Sequence, residues 1–273
     1  GNEIDDLRNR AEEILREDNP DVDQSIRLLK RAVVLGPNLG ILRALLAQAF
    51  MLDEKPEKAL TQYQKAVQID PKNASYIIGS GRAQEGLGES DLAKELYQAA
   101  WKLDLEDYEA PRALASLLQE DGKTDEALDT LQQAIESDGQ IDFQDFFCYY
   151  DRVHILLFSG RHTELAEELK QIVSIAVNKA ERAFAAHILS RSGAQLADLS
   201  EFSLAIRFVD AAVELDPDDE DLADFALAVR NIAVLRKEAL ELLEDEDIHD
   251  FLRRITSIHI GRYFGEISKE EYI

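Results

Sequence analysis

The sequence predicts an all-α array of helix–turn–helix units, and three observations carry that prediction. A small residue, a large one and an alanine recur in phase every 34 residues: Ser25, Leu29, Ala32; Ala59, Tyr63, Ala66; Ala93, Tyr97, Ala100; Ala127, Leu131, Ala134. A chain breaker follows in three of the four units (Pro37, Pro71, Gly139), Leu105 being the exception. A fixed period of about 20–50 residues is the mark of a repeat array. Ala, Leu and Glu abound, Pro occurs only 6 times, and no stretch shows the alternation of a strand. The chain is 45% apolar and 31% charged, a balance that folds rather than stays disordered.

The formal net charge of −25 argues against nucleic acid, whose phosphates demand a basic face, and equally against docking on anionic lipid. It favours solubility and basic partners. A single cysteine, Cys148, forms no internal disulfide. No apolar run approaches the roughly 20 residues of a membrane span. The best stretch, Ile41 to Leu52, is broken by Arg43 and Gln48. No targeting signal is visible, so the expected compartment is the cytoplasm, although a trimmed N-terminus would hide one. The chain begins with Gly1 and stops at Ile273, shortly after Ser268, an N-cap type residue before Lys269-Glu270-Glu271. The expectation is a fragment of a longer protein.

The first predicted helix runs from Ile4 to Arg16, with Leu7, Ala11, Ile14 and Leu15 on one face. Asn19-Pro20-Asp21 ends it, and Asp21 or Asp23 can cap a second helix that runs to Leu35 and stops at Gly36-Pro37. Repeat two spans 40–73, its inner turn at Asp53 to Pro56, with Pro56 in the first turn of its second helix, where the missing N–H costs nothing. Repeat three spans 74–107, with Gly88 in the turn and Ser90 expected as the cap. Repeat four spans 108–139, with Gly122 in the turn and Thr124 expected as the cap. After Gly139 the phase slips. The next pair is expected as Phe146 to Phe158 and a second helix after Thr163, and the one after it as 186–217. Beyond Pro217 no turn glycine occurs between Ile232 and Lys237, so the expectation is one long helix or a degenerate capping repeat. Asp247 to Ile260 reads as a terminal capping helix. Three regions result: 1–139 with four regular repeats, 140–217 with two longer, phase-shifted repeats, and 218–273 with the degenerate repeat and capping helices.

Ala47, Phe50, Ala59, Tyr63, Ala66 and Pro71 of repeat two carry a recognisable pattern. Gly81, Gly88, Ala93, Tyr97 and Ala100 repeat it, as do Ala115, Gly122, Ala127 and Ala134. This pattern resembles the tetratricopeptide repeat. The resemblance implies a right-handed superhelical solenoid of antiparallel helix pairs, about six to seven repeats long with a C-terminal capping helix. It also implies a non-catalytic scaffold that holds a peptide or helix of a partner protein in a concave groove lined by the first helix of each pair. The rival readings are self-assembly into a homodimer, and the regulatory region of a larger protein whose active domain lies elsewhere.

In that family the second, fifth, ninth and twelfth residues of the first helix face inward. Here they are Ile41, Ala44, Gln48 and Met51 in repeat two, and Ser75, Ile78, Arg82 and Glu85 in repeat three. They are Glu109, Arg112, Ser116 and Gln119 in repeat four, and Phe147, Tyr150, His154 and Leu157 in repeat five. Arg82 and Arg112 are cations on one surface of an acidic chain and can hold a peptide carboxylate. Neutralisation by Glu85 and Glu109 is the plainer alternative. Phe143, Phe146, Phe147, Tyr149 and Tyr150 crowd together, as an interface anchor or as a helix buried all round. The lysine–asparagine clamp of chaperone-binding family members would fall at Arg10 and Ile14, or at Ala44 and Gln48, and is missing at both.

No catalytic, cofactor or metal constellation emerges. Gly79-Ser80-Gly81 with Gly86 and Gly88 lacks the dinucleotide spacing and lies within a predicted helix and its turn, where packing explains it. The five histidines form no zinc pattern, and Cys148 has no nearby partner cysteine. Asp216 to Asp221 is rich in oxygen ligands, but Leu227 stands where a calcium loop needs Glu. A solvated inter-repeat loop is the expected role.

Overall fold

The computed structural model describes residues 3–137 and 142–242. Among the described residues it contains thirteen α-helices and no strand, as expected. The chain divides into two compact units, residues 1–140 and 141–273.

The first unit holds α1 (Glu3–Leu15), α2 (Val22–Leu35), α3 (Gly40–Leu52), α4 (Pro56–Ile69), α5 (Ala74–Gly86), α6 (Ser90–Leu103), α7 (Glu109–Glu120) and α8 (Thr124–Glu136). Each helix packs on the next, and α3 also touches both α1 and α5. The in-phase alanines make this close approach possible. Ala32, Ala59, Ala66, Ala93, Ala100 and Ala127 are fully buried. Gly79 and Gly81 have the same origin: a Cβ on Gly79 would fall on the ring of buried Tyr63, and one on Gly81 would lie 2.7 Å from Tyr97 Cε1. The glycine-rich stretch of α5 is therefore a packing surface.

The second unit holds α9 (Asp145–Phe158), α10 (His162–Ile175), α11 (Lys179–Asp198), α12 (Phe202–Leu215) and α13 (Glu220–Leu242). Here α11 is central, packing on α9, α10, α12 and α13. Its Gly193 sits where repeat three has Gly81, and a Cβ there would lie 2.7 Å from Val209 Cγ1. A buried ion pair joins α9 to α10: Arg152 donates to both carboxylate oxygens of Glu168, at 2.5 and 2.8 Å.

One turn design recurs within both units. Residues 53–55, 87–89, 121–123, 159–161 and 199–201 each join a pair of helices. In every case the middle residue has positive φ: Glu54, Gly88, Gly122, Gly160 and Ser200. The third residue donates its N–H back to the preceding helix, Lys55 to Phe50 and Glu89 to Gln84, both at 2.9 Å. This is a Schellman closure, and it satisfies carbonyls that the helix end leaves open. It corrects the capping expectations. Ser90 and Thr124 are the first helical residues, and Glu89 and Lys123 occupy the cap positions with no side-chain cap bond. The reason is that the turn commits the residue after its left-handed member to the cap. The same rule starts α10 at His162, ahead of Thr163. Asp21 does cap α2, accepting from Gln24 N–H at 2.9 Å.

The helix expected to begin at Ala186 begins at Lys179. Asn178 and Glu181 form a capping box there: Asn178 accepts from the Glu181 N–H at 3.0 Å, and Glu181 accepts from the Asn178 N–H at 3.1 Å. The long-helix alternative beyond Pro217 is what forms, as the 23-residue α13. Its Arg236 is buried, donates to the Ala197 carbonyl at 3.2 Å and lies over the Phe202 ring. The expected helix at Asp247 to Ile260 and the cap at Ser268 lie outside the described residues.

Candidate functional site

In the first unit, α3 and α5 bring three of the expected inner residues together. Gln48, Met51 and Arg82 line one cavity of about 390 Å³. Leu15, Leu45, Leu52 and Tyr63 supply more of its apolar wall, and Glu12 and Arg16 its polar remainder. Burial raises the Tyr63 hydroxyl pKa to about 12, so the phenol stays neutral. The cavity therefore joins an apolar lining to two guanidinium groups. Both are engaged: Arg82 with Glu109 at 2.7 Å, and Arg16 with Glu12 at 3.3 Å. Arg82 is 56% exposed and Arg16 76%, and exposed pairs of this kind are worth only about 0–1 kcal/mol each. An incoming carboxylate can displace them at little cost. Of the two neutralising glutamates expected, Glu109 is the one that pairs with Arg82, while Glu85 accepts the Tyr97 hydroxyl at 2.8 Å.

The other inner residues of this unit stand apart from that cavity. Ile78 is only 2% exposed and belongs to the core. Arg112 is half-buried on α7. The Gln119 carboxamide oxygen is buried with no hydrogen-bond partner among the described residues. Repeat one contributes Glu12 and Leu15 from α1 and Arg16 directly after it. Leu45 and Leu52, one helical turn either side of Gln48, are legible as an i, i+3, i+7 stripe.

In the second unit the aromatic cluster splits between two roles. Phe146, Cys148 and Tyr149 are core, the Tyr149 hydroxyl accepting from Gln171 Nε2 at 3.1 Å. Phe147 is half-buried and packs edge-on against Phe143 at 5.9 Å and Phe184 at 5.2 Å. Tyr150, His154 and Phe158 form a stripe along α9, with ring centroids 5.7 and 4.7 Å apart. Phe158, absent from the sequence-based selection, is 65% exposed. Its signal was the i+4 step from His154.

Burial holds the His154 pKa below the ordinary imidazole value; Asp151 opposes this and Arg191 reinforces it. The unfolded chain thus binds this proton more readily than the folded one. The stability involved is present above about pH 6.5, the unfolded value, and is lost as pH falls towards the folded pKa. Between pH 8 and 5.5 the melting temperature of the wild type is expected to fall further than that of His154→Gln. Equal falls would contradict this.

Among the described residues no group of three His, Cys, Asp or Glu side chains can hold a metal ion, and no helix is long and apolar enough to cross a membrane.

Stacked helix pairs with fully buried alanines at fixed phase, presenting one face of each first helix, define a helical-repeat scaffold. Tetratricopeptide repeat matches cover residues 15–74 and 79–140, and the helix pairs of this part of the chain are tetratricopeptide repeats. Mouse tetratricopeptide repeat protein 21A is 25% identical over 238 residues, covering 79% of this chain and 18% of that protein. Tetratricopeptide repeat protein 8 of Caenorhabditis elegans is 31% identical over 85 residues, covering 31% of this chain and 17% of that protein. The chain thus spans less than a fifth of either relative. Pseudomonas aeruginosa pilF has the same fold, with a TM-score of 0.53 at 14% identity, covering 83% of this chain and 97% of that one. The fold is a protein-interaction scaffold, and its family is generally non-catalytic.

Proposed function

We propose that the chain is a non-catalytic scaffold that holds a peptide or helix of a partner protein on the inner face of its first helices. The observation that carries this reading is the 390 Å³ cavity shared by Gln48, Met51 and Arg82. Pockets that combine an apolar lining with a few polar groups are the usual form of a binding site. The chemistry favours a partner segment with an apolar side chain beside a carboxylate, the carboxylate exchanging with Glu109 on Arg82. A peptide-display selection on the full chain tests this. Selected peptides are expected to share that pairing and to bind Arg82→Glu at least tenfold more weakly. Peptides with that apolar–carboxylate pairing that bind wild type and Arg82→Glu equally would remove the site.

Self-assembly is the second reading, favoured by the exposed Phe158 at the end of the Tyr150–His154 stripe. Light scattering at several concentrations distinguishes it: a mass that rises with concentration in wild type and not in Phe158→Ser supports the homodimer. The short share of the relatives that this chain covers favours a role inside a larger protein.

A further inference from the structure

The repeats are not equivalent on the side of the first helix that faces away from Ile78 and Arg82. Two positions there are large and apolar in the flanking repeats: Leu46 and Phe50 in repeat two, Leu114 and Leu118 in repeat four. All four are buried. In repeat three the same positions, 34 residues on from repeat two, hold Ser80 and Gln84. A leucine and an aromatic ring are missing from one layer of the stack, and a cavity of about 620 Å³ stands in their place. It lies against α4, α5 and α6, with Leu60, Val67, Ile77, Leu92 and Leu96 as its apolar walls. Ser80 does not make it polar, because its hydroxyl donates to the Tyr76 carbonyl of its own helix at 3.0 Å.

The remaining lining describes the occupant. Gln64, Gln68 and Gln84 border the cavity, and their carboxamides have no hydrogen-bond partner among the described residues. Each offers a donor and an acceptor together, which is what a peptide backbone needs. The one charged residue in the lining is Glu95, in a chain of net charge −25. An acidic flank at that site repels carboxylates and attracts Lys and Arg.

We propose that repeat three binds a second partner segment here: a polypeptide that inserts one leucine- or phenylalanine-sized side chain between α4 and α6, with basic residues beside it. The inserted side chain takes the place that Leu46 with Phe50, and Leu114 with Leu118, fill in the neighbouring repeats. The site is separate from the Arg82 cavity and does not depend on the reading given to it.

The test is a library of 12-residue peptides with Leu, Phe or Ala at the centre and either Lys/Arg-rich or Asp/Glu-rich flanks, selected on the full chain. Enrichment of Leu- or Phe-centred, basic-flanked peptides is expected. Their affinity should fall at least tenfold on Ser80→Leu/Gln84→Phe, which restores the side chains of repeat two, and should be unchanged on Arg82→Glu. Because the filled variant changes the core, Ala99→Arg serves as a second block: Ala99 is exposed in the lining, so its replacement obstructs the cavity without repacking it. Among the peptides whose affinity Arg82→Glu leaves unchanged, three results overturn the proposal: Ala-centred peptides enriched as strongly, acidic flanks preferred, or affinity retained by both blocked variants. A wild type that dimerises while both blocked variants stay monomeric would also overturn it, by making a second copy the occupant.

Discussion

Arg152→Ala is expected to destabilise the second unit by about 3–5 kcal/mol, the cost of removing one partner from a buried pair. Arg152 and Glu168 are 16% and 6% exposed, and the guanidinium meets both carboxylate oxygens. The substitution leaves the Glu168 carboxylate in a low-dielectric space without the two donors that replaced its water. Arg152→Lys is expected to fall between wild type and Arg152→Ala, since a single ammonium keeps the charge but cannot form the fork. Arg152→Met/Glu168→Leu is expected to lie close to wild type, because an apolar pair of similar volume has no desolvation penalty to offset. Urea unfolding of the four proteins checks the order. A double variant as unstable as Arg152→Ala would mean that the ion pair itself is net stabilising, since the apolar pair keeps the volume and removes the stranded charge.

How far the sequence reveals this molecule depends on what sets each feature. Helix pairing was legible because the close approach of helices admits only small residues, so Ala32, Ala66, Ala100 and Ala134 repeat at a fixed phase. The turns were half-legible. Gly88, Gly122 and Gly160 declare the left-handed residue, while Glu54 and Ser200 adopt the same conformation without announcing it. Ser90 and Thr124 misled because cap preference is a local signal, whereas the position of the cap is fixed by the turn before it. The start of α11 was missed for the opposite reason. The Asn178–Glu181 capping box is a local signal readable in the sequence, but extending the repeat phase past the slip after Gly139 overrode it.

The candidate surfaces divide in the same way. Gln48, Met51 and Arg82 came out together because, in the family that the repeats resemble, fixed positions at helical spacing along the first helix face inward. Ile78 shares that periodicity yet lies in the core, since its burial depends on neighbouring helices that a single helical wheel does not contain. Exchange of Leu and Phe for Ser80 and Gln84 is visible in the sequence only when the repeats are laid over one another, and its meaning is visible only in the space it opens.

Tyr97→Ala is expected to cost about 3–5 kcal/mol, the range for truncating a buried aromatic. The ring is fully buried, and its hydroxyl donates to Glu85 at 2.8 Å. Its position also sets the sign of a second substitution. In wild type, Gly81→Ala places a methyl 2.7 Å from Cε1 of the fully buried Tyr97 ring, so the ring or the helix must shift. Overpacking of about 1–3 kcal/mol then outweighs the roughly 1 kcal/mol that alanine gains over glycine inside a helix. With the ring removed, only the propensity gain remains, and Gly81→Ala is expected to stabilise the Tyr97→Ala protein by about 1 kcal/mol. Thermal unfolding of the wild type, both single variants and the double variant gives the coupling directly. A sign reversal would show that the glycine is there to admit the ring. Additive effects would show that α5 and α6 relax apart, so that the small residues of this repeat reflect something other than the distance between helices.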